Sequence, residues 1–232
     1  MAHRYAIYWA PPREHPLWQA GCAWLGRDPE TGETFAPPCL DGLEGARHAA
    51  ITAEPARYGW HATLKPPFRL AAGETEAGLD AAMARFAAAR SAFPAPPLAV
   101  TVLSGFLAVT PVAPGPTLDA LAADCVAAFD PFRAPPEPAE IARRRRAGLS
   151  ARQESLLARW GYPYVMEEFR FHLTLTARLP VEEAERLRRA LALRLAAALD
   201  APLVIDAIAL YAEPAPHAPF RLLRRYPFGR GA

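Results

Sequence analysis

The chain has 232 residues, enough for one large domain or two lobes with a substantial core. Its hydrophobic fraction of 52% and charged fraction of 22% are those of an ordinary globular protein, and no apolar run approaches the length of a membrane span. The net charge of +2 is too small to indicate nucleic acid as the partner.

The N-terminal stretch MAHRYAIYWAPP lacks an unbroken apolar segment followed by a cleavage site, which argues against a secretory signal. Cys22, Cys39 and Cys125 are odd in number and form no CxxC pair, so we expect reduced thiols in a cytoplasmic protein. We expect no cofactor or metal, since HExxH and HxxxH spacings, a P-loop, a GxGxxG fingerprint and a GxSxG elbow are all missing from the sequence.

The first predicted element is a strand at Arg4 to Pro11, which ends at a proline pair. Arg13 to Pro55 is rich in Pro, Gly and acidic residues, so we expect irregular structure with a short helix near Leu17 to Leu25. The segment YGWHATLKPPF then predicts a strand that ends at Pro66 and Pro67.

A helix is predicted over Glu74 to Phe93, followed by a strand or hairpin over Leu98 to Val109 that bends near Gly105. A second helix is predicted over Thr117 to Phe129.

The segment Ala139 to Trp160 is predicted to be helical in two pieces. Ser150 and Gln153 form a capping box for the second piece, and Gly161 fits its end. The strand FRFHLTLTAR follows, then a helix over Val181 to Leu199 and two closing strands, PLVIDAIALYAEP and FRLLRRYPF.

Two segments of the chain resemble each other. His61 is followed by a helix and a strand from Pro97, and His172 by a helix and a strand from Pro202, at distances of 36 (97 − 61) and 30 (202 − 172) residues. The pattern predicts duplicated strand-helix-strand units within one two-lobed α+β domain, with antiparallel sheets around a central cleft. The units span about 56–112 and 165–228, with a helical insert at about 115–161.

Each repeat contains the sequence H-x-T-L. Because alternate side chains of a strand share a face, we expect His61, Thr63 and Lys65 to point one way. His172 and Thr174 repeat the pattern, and Arg170 lies on the same face. A lone strand histidine is more often a surface or satisfied residue, but two copies at matched positions indicate a shared site.

Paired imidazoles suit proton transfer at neutral pH, because one neutral ring can accept a proton while a protonated ring donates one. This division of labour fits phosphodiester hydrolysis, in which the attacking and leaving oxygens lie on opposite sides of phosphorus. Thr63 and Thr174 would donate to the non-bridging oxygens, and Lys65, the only lysine in the chain, would add positive charge. Such a reaction requires no metal ion.

The paired H-x-[ST] strands resemble those of the 2H phosphoesterase superfamily, which includes RNA ligase-like cyclic phosphodiesterases. More narrowly, six segments in order resemble the DUF1045 family, which is associated with phosphonate metabolism: RYAIYWAP, AWLGRDPETG, RYGWHATLKPPFRL, ARRRRAGLSARQ, RWGYPYV and FRFHLTLT. The resemblance covers about 4–179 and implies that His61 and His172 are catalytic and that Thr63 and Thr174 hold phosphate. The substrate it implies is a small phosphorylated sugar, 5-phosphoribosyl 1,2-cyclic phosphate, opened to a ribose bisphosphate.

The remaining candidate residues have two interpretations each. Arg143 and Arg144, in the run up to Arg146, would clamp a terminal phosphate or form a solvated helix face. Tyr58, Tyr162 and Tyr164 would line the cleft or join the core. Arg170 would face the site or anchor a carboxylate.

Two other functions remain open on the sequence alone. An enzyme acting on RNA 2′,3′-cyclic phosphates would need a broad basic groove, which the charge does not favour. A phosphate-ligand sensor would use the same residues without turnover. The oligomeric state is not predicted by any feature of the sequence.

Overall fold

The computed structural model describes residues 2–146 and 148–229, which form an α+β fold. The strands are β1 (Arg4–Trp9), β2 (Ala62–Phe68), β3 (Phe93–Pro94), β4 (Leu98–Leu103), β5 (Phe106–Pro111), β6 (Leu173–Arg178), β7 (Val204–Ile205), β8 (Ala207–Glu213) and β9 (Arg221–Pro227). The helices are α1 (Pro16–Leu25), α2 (Gly45–Tyr58), α3 (Glu76–Ala88), α4 (Pro116–Ala128), α5 (Pro138–Arg145), α6 (Ala151–Trp160) and α7 (Val181–Asp200). Single 3₁₀ turns lie at Asp130–Phe132 and Met166–Glu168.

Seven of these strands form one antiparallel sheet in the order β4-β5-β6-β2-β1-β8-β9. β2 and β6, the strands that follow the two histidines, are neighbours at its centre. β3 and β7 pair separately, and each begins 32 residues after its motif histidine (93 − 61 and 204 − 172). The two repeats therefore meet at equivalent places, as an approximate twofold relation requires.

Most predicted elements are confirmed, together with the α+β class. Leu98–Pro111 is a hairpin that turns at Ser104 and Gly105, both with positive φ. Ser150 and Gln153 make the reciprocal hydrogen bonds of a capping box, and Gly161 ends α6 in the left-handed conformation. Ala147, within the predicted helical segment, and Met1, within the N-terminal stretch, lie outside the described residues.

The expectation of irregular structure up to Pro55 was wrong, because α2 occupies Gly45–Tyr58. The buried side chains of α2 recur at helical spacing at His48, Ile51, Thr52 and Pro55. Pro55 is tolerated close to the end of the helix, and Gly59 follows as its cap. This helix matters because it leads directly into the first histidine segment.

Helices cover the sheet on the side where its apolar residues are buried. α3 packs on β8 and β9, α4 on β2, α7 on β4 and β5, and α1 and α2 on β6. Trp60, next to His61, is fully buried against α1. It packs over Gly21, where a Cβ atom would lie 2.2 Å from the indole. Among the described residues, no helix combines the length and apolar character of a membrane span.

Candidate active site

One strand pairing brings the two motifs together. Ala62 of β2 pairs with Leu173 of β6 in antiparallel register, and both side chains are completely buried. Paired residues point to the same side of a sheet and adjacent residues to opposite sides. His61 and Thr63 therefore share the other face with His172 and Thr174, and we call this the histidine face. The two histidines are diagonal neighbours, a relation that separates residues by roughly 7–8 Å.

His61 is held on three sides. Its ring stacks on Tyr8 of β1, with centroids 3.7 Å apart and an interplanar angle of 18°. Nδ1 lies 2.9 Å from the Gly59 carbonyl oxygen, and Nε2 lies 3.1 Å from Oγ1 of Thr63. Because a carbonyl only accepts, Nδ1 donates its proton to Gly59, and Nε2 accepts from the Thr63 hydroxyl. The unprotonated Nε2 of His61 therefore lies on the histidine face.

The carbonyl that orients His61 depends on a glycine. Gly59 has a φ of 80°, and a Cβ atom there would lie 2.6 Å from the side chain of Pro29. Arg27 holds the preceding helix end, since its guanidinium donates to the carbonyls of Ala56 and Arg57. The position of the Gly59 carbonyl is thus fixed by backbone conformation and by a partly buried arginine.

His172 is oriented by the same device. Its Nδ1 lies 2.6 Å from the carbonyl oxygen of Arg170, again two residues earlier in the chain. Phe106 of β5 lies beside the ring at a centroid distance of 5.7 Å. The same argument gives His172 a protonated Nδ1 and an Nε2 that is available to a ligand.

Burial lowers the pKa of both imidazoles in the free protein. Desolvation lowers the pKa of His61 to about 3, although the hydrogen bond to Gly59 opposes the shift, and the charge of His172 lowers it further. Desolvation also lowers the pKa of His172, against its hydrogen bond to Arg170. Both rings are therefore neutral near pH 7.

Lys65 does not share the histidine face, and the expectation from simple alternation was wrong. Tyr8 pairs with Thr63, but its neighbour Ile7 pairs with Lys65, so Leu64 is an extra residue that forms a β-bulge. The bulge turns Lys65 to the opposite side. There it is 1% exposed, and its Nζ donates to the Val126 carbonyl at 3.0 Å and lies 3.3 Å from Oδ1 of Asp130.

Burial lowers the pKa of Lys65 to about 8, although Asp130 favours its charged form. The lysine lies in a cavity of about 30 Å³ between β2 and the helical insert. Arg69, Arg133, Arg144 and Tyr162 also line this cavity.

Of the two insert arginines considered, Arg144 stacks over the ring of Tyr162 at 4.5 Å, and Arg143 is exposed. Tyr164 is 42% exposed and meets Tyr162 edge-on. Tyr58, the last residue of α2, lies 6.3 Å from the ring of His61 and is the aromatic candidate that the structure brings to the motif. Arg170 is exposed, and its guanidinium donates to the carbonyls of Glu167 and Phe169 rather than to a carboxylate.

The H-x-T motif does not identify two further residues of the site, Tyr8 and Gly59. Tyr8 forms the stacking surface for His61 from a different strand, and Gly59 supplies the carbonyl through its positive φ. Alternation along β1 places Tyr8 on one face, but only the β1–β2 pairing puts that face beside His61. Within residues 2–146 and 148–229, no three His, Cys, Asp or Glu side chains are grouped as metal ligands.

These features define a class of α+β protein in which two repeated H-x-T strands meet at the centre of an antiparallel sheet. The chain belongs to the DUF1045 family, described as proteins of unknown function, whose family model matches residues 63–221. The expected family resemblance is confirmed.

The chain is similar to proteins named ribose 1,5-bisphosphate phosphokinase PhnN. It is 43% identical over 233 aligned residues to the one from Janthinobacterium sp. (strain Marseille) and 42% identical over 222 to the one from Laribacter hongkongensis (strain HLHK9). The alignments cover 98% and 95% of this chain but 51% of each relative. The chain thus spans about half the length of these curated relatives.

Among solved structures, the chain is similar to one described as a phosphoesterase, with a TM-score of 0.44 and 14% identity over 99% of this chain and 100% of the other. It is also similar to E. coli LigT complexed with 3′-AMP, with a TM-score of 0.42 and 13% identity over 99% of this chain and 100% of the other.

Proposed function

We propose that this protein is a cyclic phosphodiesterase of the 2H type, which opens a small sugar cyclic phosphate by general acid–base catalysis without a metal ion. The observation that carries the proposal is the pair of H-x-T motifs side by side on one sheet face, each with its histidine Nδ1 bound to the carbonyl two residues earlier. Both Nε2 atoms are then available to one phosphate.

We assign His61 as the base and His172 as the acid. His61 is the more strongly desolvated ring, with a pKa of about 3, and so remains unprotonated over the working range of pH. Water attacks phosphorus while His61 accepts its proton. The bond from phosphorus to one sugar oxygen of the cyclic phosphate breaks as protonated His172 donates a proton to that oxygen. Exchange with solvent then restores both rings. Thr174 donates to one non-bridging oxygen, and the Thr63 hydroxyl turns from Nε2 of His61 to donate to the other when the phosphate binds.

The proposed substrate is 5-phosphoribosyl 1,2-cyclic phosphate. Breaking the bond from phosphorus to O2 would yield ribose 1,5-bisphosphate, which is the compound in the name of the PhnN relatives. This chain contains no GxxxxGK[ST] loop, so we propose that the kinase activity of that name belongs to the half that this chain does not cover. The aligned half would then supply the substrate of the kinase half.

Phosphorus NMR tests the proposal. The purified protein, with chelator present, is incubated with 5-phosphoribosyl 1,2-cyclic phosphate and, separately, with a nucleoside 2′,3′-cyclic phosphate. The double variant His61→Gln/His172→Gln serves as the control for contaminating activity. We expect ring opening of the sugar phosphate by the wild type alone.

Turnover of the nucleotide in preference to the sugar would instead indicate RNA-end processing. Binding of the sugar phosphate with no turnover would indicate a sensor. Either result would overturn the assignment.

A further inference from the structure

Two arginines share one buried carboxylate on the histidine face. Glu213 of β8 is completely buried, and its Oε2 lies 2.5 Å from Nε of Arg4. Its Oε1 lies 3.0 Å from Nη1 of Arg57, which comes from the last turn of α2. The proposed reaction uses none of these three residues.

The β1–β8 pairing places this group on the same face as His61. The register is regular from Arg4, opposite Glu213, to Tyr8, opposite Ala209. Arg4 and Tyr8 are separated by an even number of residues and therefore point to the same side. Since Tyr8 stacks on His61, the arginine side chain lies further along the sheet face that carries the catalytic candidates.

Tyr58 links the arginines to His61. The centroid of its ring lies 6.3 Å from that of His61. The Arg57 guanidinium lies over the Tyr58 ring, with Cζ 4.4 Å from the ring centroid. Nη2 of Arg57 donates to the Tyr58 hydroxyl at 2.6 Å. The hydroxyl accepts in this bond and so retains its own proton to donate to a ligand.

The charges at this cluster do not cancel. Two guanidiniums face one carboxylate, which leaves an excess of one positive charge, and the Arg4 and Arg57 side chains are 16% and 24% exposed. The charge of Glu140 also reaches Arg4, but Glu140 lies near Arg69 as well, at 3.8 Å. The pair of Arg224 with Asp80 is one to one, although Asp130 and Glu185 each also hold two cationic side chains. A partly buried excess of guanidinium beside a hydroxyl donor matches the charge and oxygens of a phosphate.

We propose that Arg4, Arg57 and Tyr58 form a second phosphate site, which binds a phosphate monoester on the sugar while His61 and His172 act on its cyclic phosphodiester. The proposal rests on the proposed function and defines its substrate class as a cyclic phosphate with a separate terminal phosphate. Glu213 is the positioning residue that fixes both guanidiniums. The simpler alternative is that the cluster only ties β8 to α2.

Two substrates distinguish these alternatives: ribosyl 1,2-cyclic phosphate with and without the 5-phosphate. In Arg57→Gln and Arg4→Gln we expect kcat/KM for the phosphorylated substrate to fall at least tenfold, chiefly through KM. For the unphosphorylated substrate it should change less than threefold. Each single variant leaves one arginine on Glu213, so the buried carboxylate keeps a partner. Arg224→Gln, on a surface pair, is the matched control and should change neither value.

Equal losses on both substrates, or a wild type that does not prefer the phosphorylated one, would overturn the second site while leaving the proposed function intact. If the wild type opens neither substrate, the proposed function fails, and calorimetry with ribose 5-phosphate tests the second site by itself. Binding that weakens at least tenfold in Arg57→Gln supports the site. Binding that is undetectable or unchanged by the substitution refutes it. If either variant fails to fold, the other decides.

Discussion

The two H-x-T segments place their histidine rings in different environments. His61 is enclosed by Tyr8 and hydrogen-bonded at both nitrogens, whereas His172 is hydrogen-bonded at Nδ1 and has Phe106 at a longer distance. Identical motifs thus provide two unequal imidazoles. The difference teaches that the strand partner, rather than the motif, sets the environment of each ring.

The side chain at the third alternating position is buried in both segments. In β2 the bulge at Leu64 turns Lys65 toward α4. In β6 the register with β5 slips after Thr174, and Thr176 is buried with its hydroxyl accepting from the backbone N–H of Leu107. The repeated unit of the site is therefore one histidine and one threonine, and the strand geometry changes directly after it.

Removing either histidine should have the largest effect. We expect His61→Gln and His172→Gln each to lower kcat for the sugar cyclic phosphate at least 100-fold, since both proton transfers are lost or uncoupled. Wild-type kcat/KM should fall about tenfold per pH unit above neutrality, because the acid must be protonated and burial lowers the pKa of His172. Below neutrality it should rise until His172 is protonated and then stay level down to about pH 4, because the pKa of His61 is about 3.

The pH profiles of the two variants check the assignment of acid and base. His172→Gln should lose the decline above neutrality, and His61→Gln should retain it. Near-normal rates in either variant, or reversed profiles, would contradict the assigned roles.

The two threonines of β6 offer the next contrast. Thr174→Val removes a proposed donor to the phosphate and should lower kcat about 100-fold with little change in stability. Thr176→Val removes the acceptor of a buried N–H and should lower the free energy of unfolding by about 1–3 kcal/mol, with kcat within threefold of wild type. Steady-state kinetics and urea unfolding of both variants measure the contrast. If kcat and the free energy of unfolding changed equally in the two variants, the claim that the site ends at Thr174 would be wrong.

Lys65→Met tests the bulge. Because Lys65 lies away from the histidine face, we expect kcat and KM within threefold of wild type. The folded-state pKa of about 8 is below the ordinary value of 10.5, so the unfolded chain binds more protons between these values and the lysine's effect on stability becomes more favourable as pH rises. From pH 7.5 to pH 10 the wild type should gain about 2 kcal/mol over Lys65→Met in urea unfolding. A tenfold rise in KM would instead return Lys65 to the phosphate site.

Arg170→Ala should have the smallest effect. The backbone carbonyl that orients His172 is retained, and the exposed guanidinium bonds only carbonyls among the described residues. We expect turnover within threefold of wild type. A larger loss, measured under the same conditions, would mean that the guanidinium itself contacts the substrate.

The sequence predicted the features that depend on local pattern. H-x-T alternation placed each histidine with its threonine, and the Ser150–Gln153 box and Gly161 marked the ends of α6. It could not predict the bulge at Leu64, because an inserted residue is defined only by the partner strand. The pairing of Arg4 with Glu213, 209 residues apart, likewise depends on strand order and has no local signature.

The order of strands ties the two repeats to each other in hydrogen bonds as well as in sequence likeness. β5 of the first repeat pairs with β6 of the second, and β8 of the second pairs with β1, so within the seven-stranded sheet the β1–β2 pair and the β4–β5 hairpin are joined through β6 of the other half. A fragment carrying one histidine would expose bare strand edges and would be expected to aggregate when expressed alone. Fragments made together in one cell should instead reassemble, and the return of activity would then report directly on the joining of the two halves.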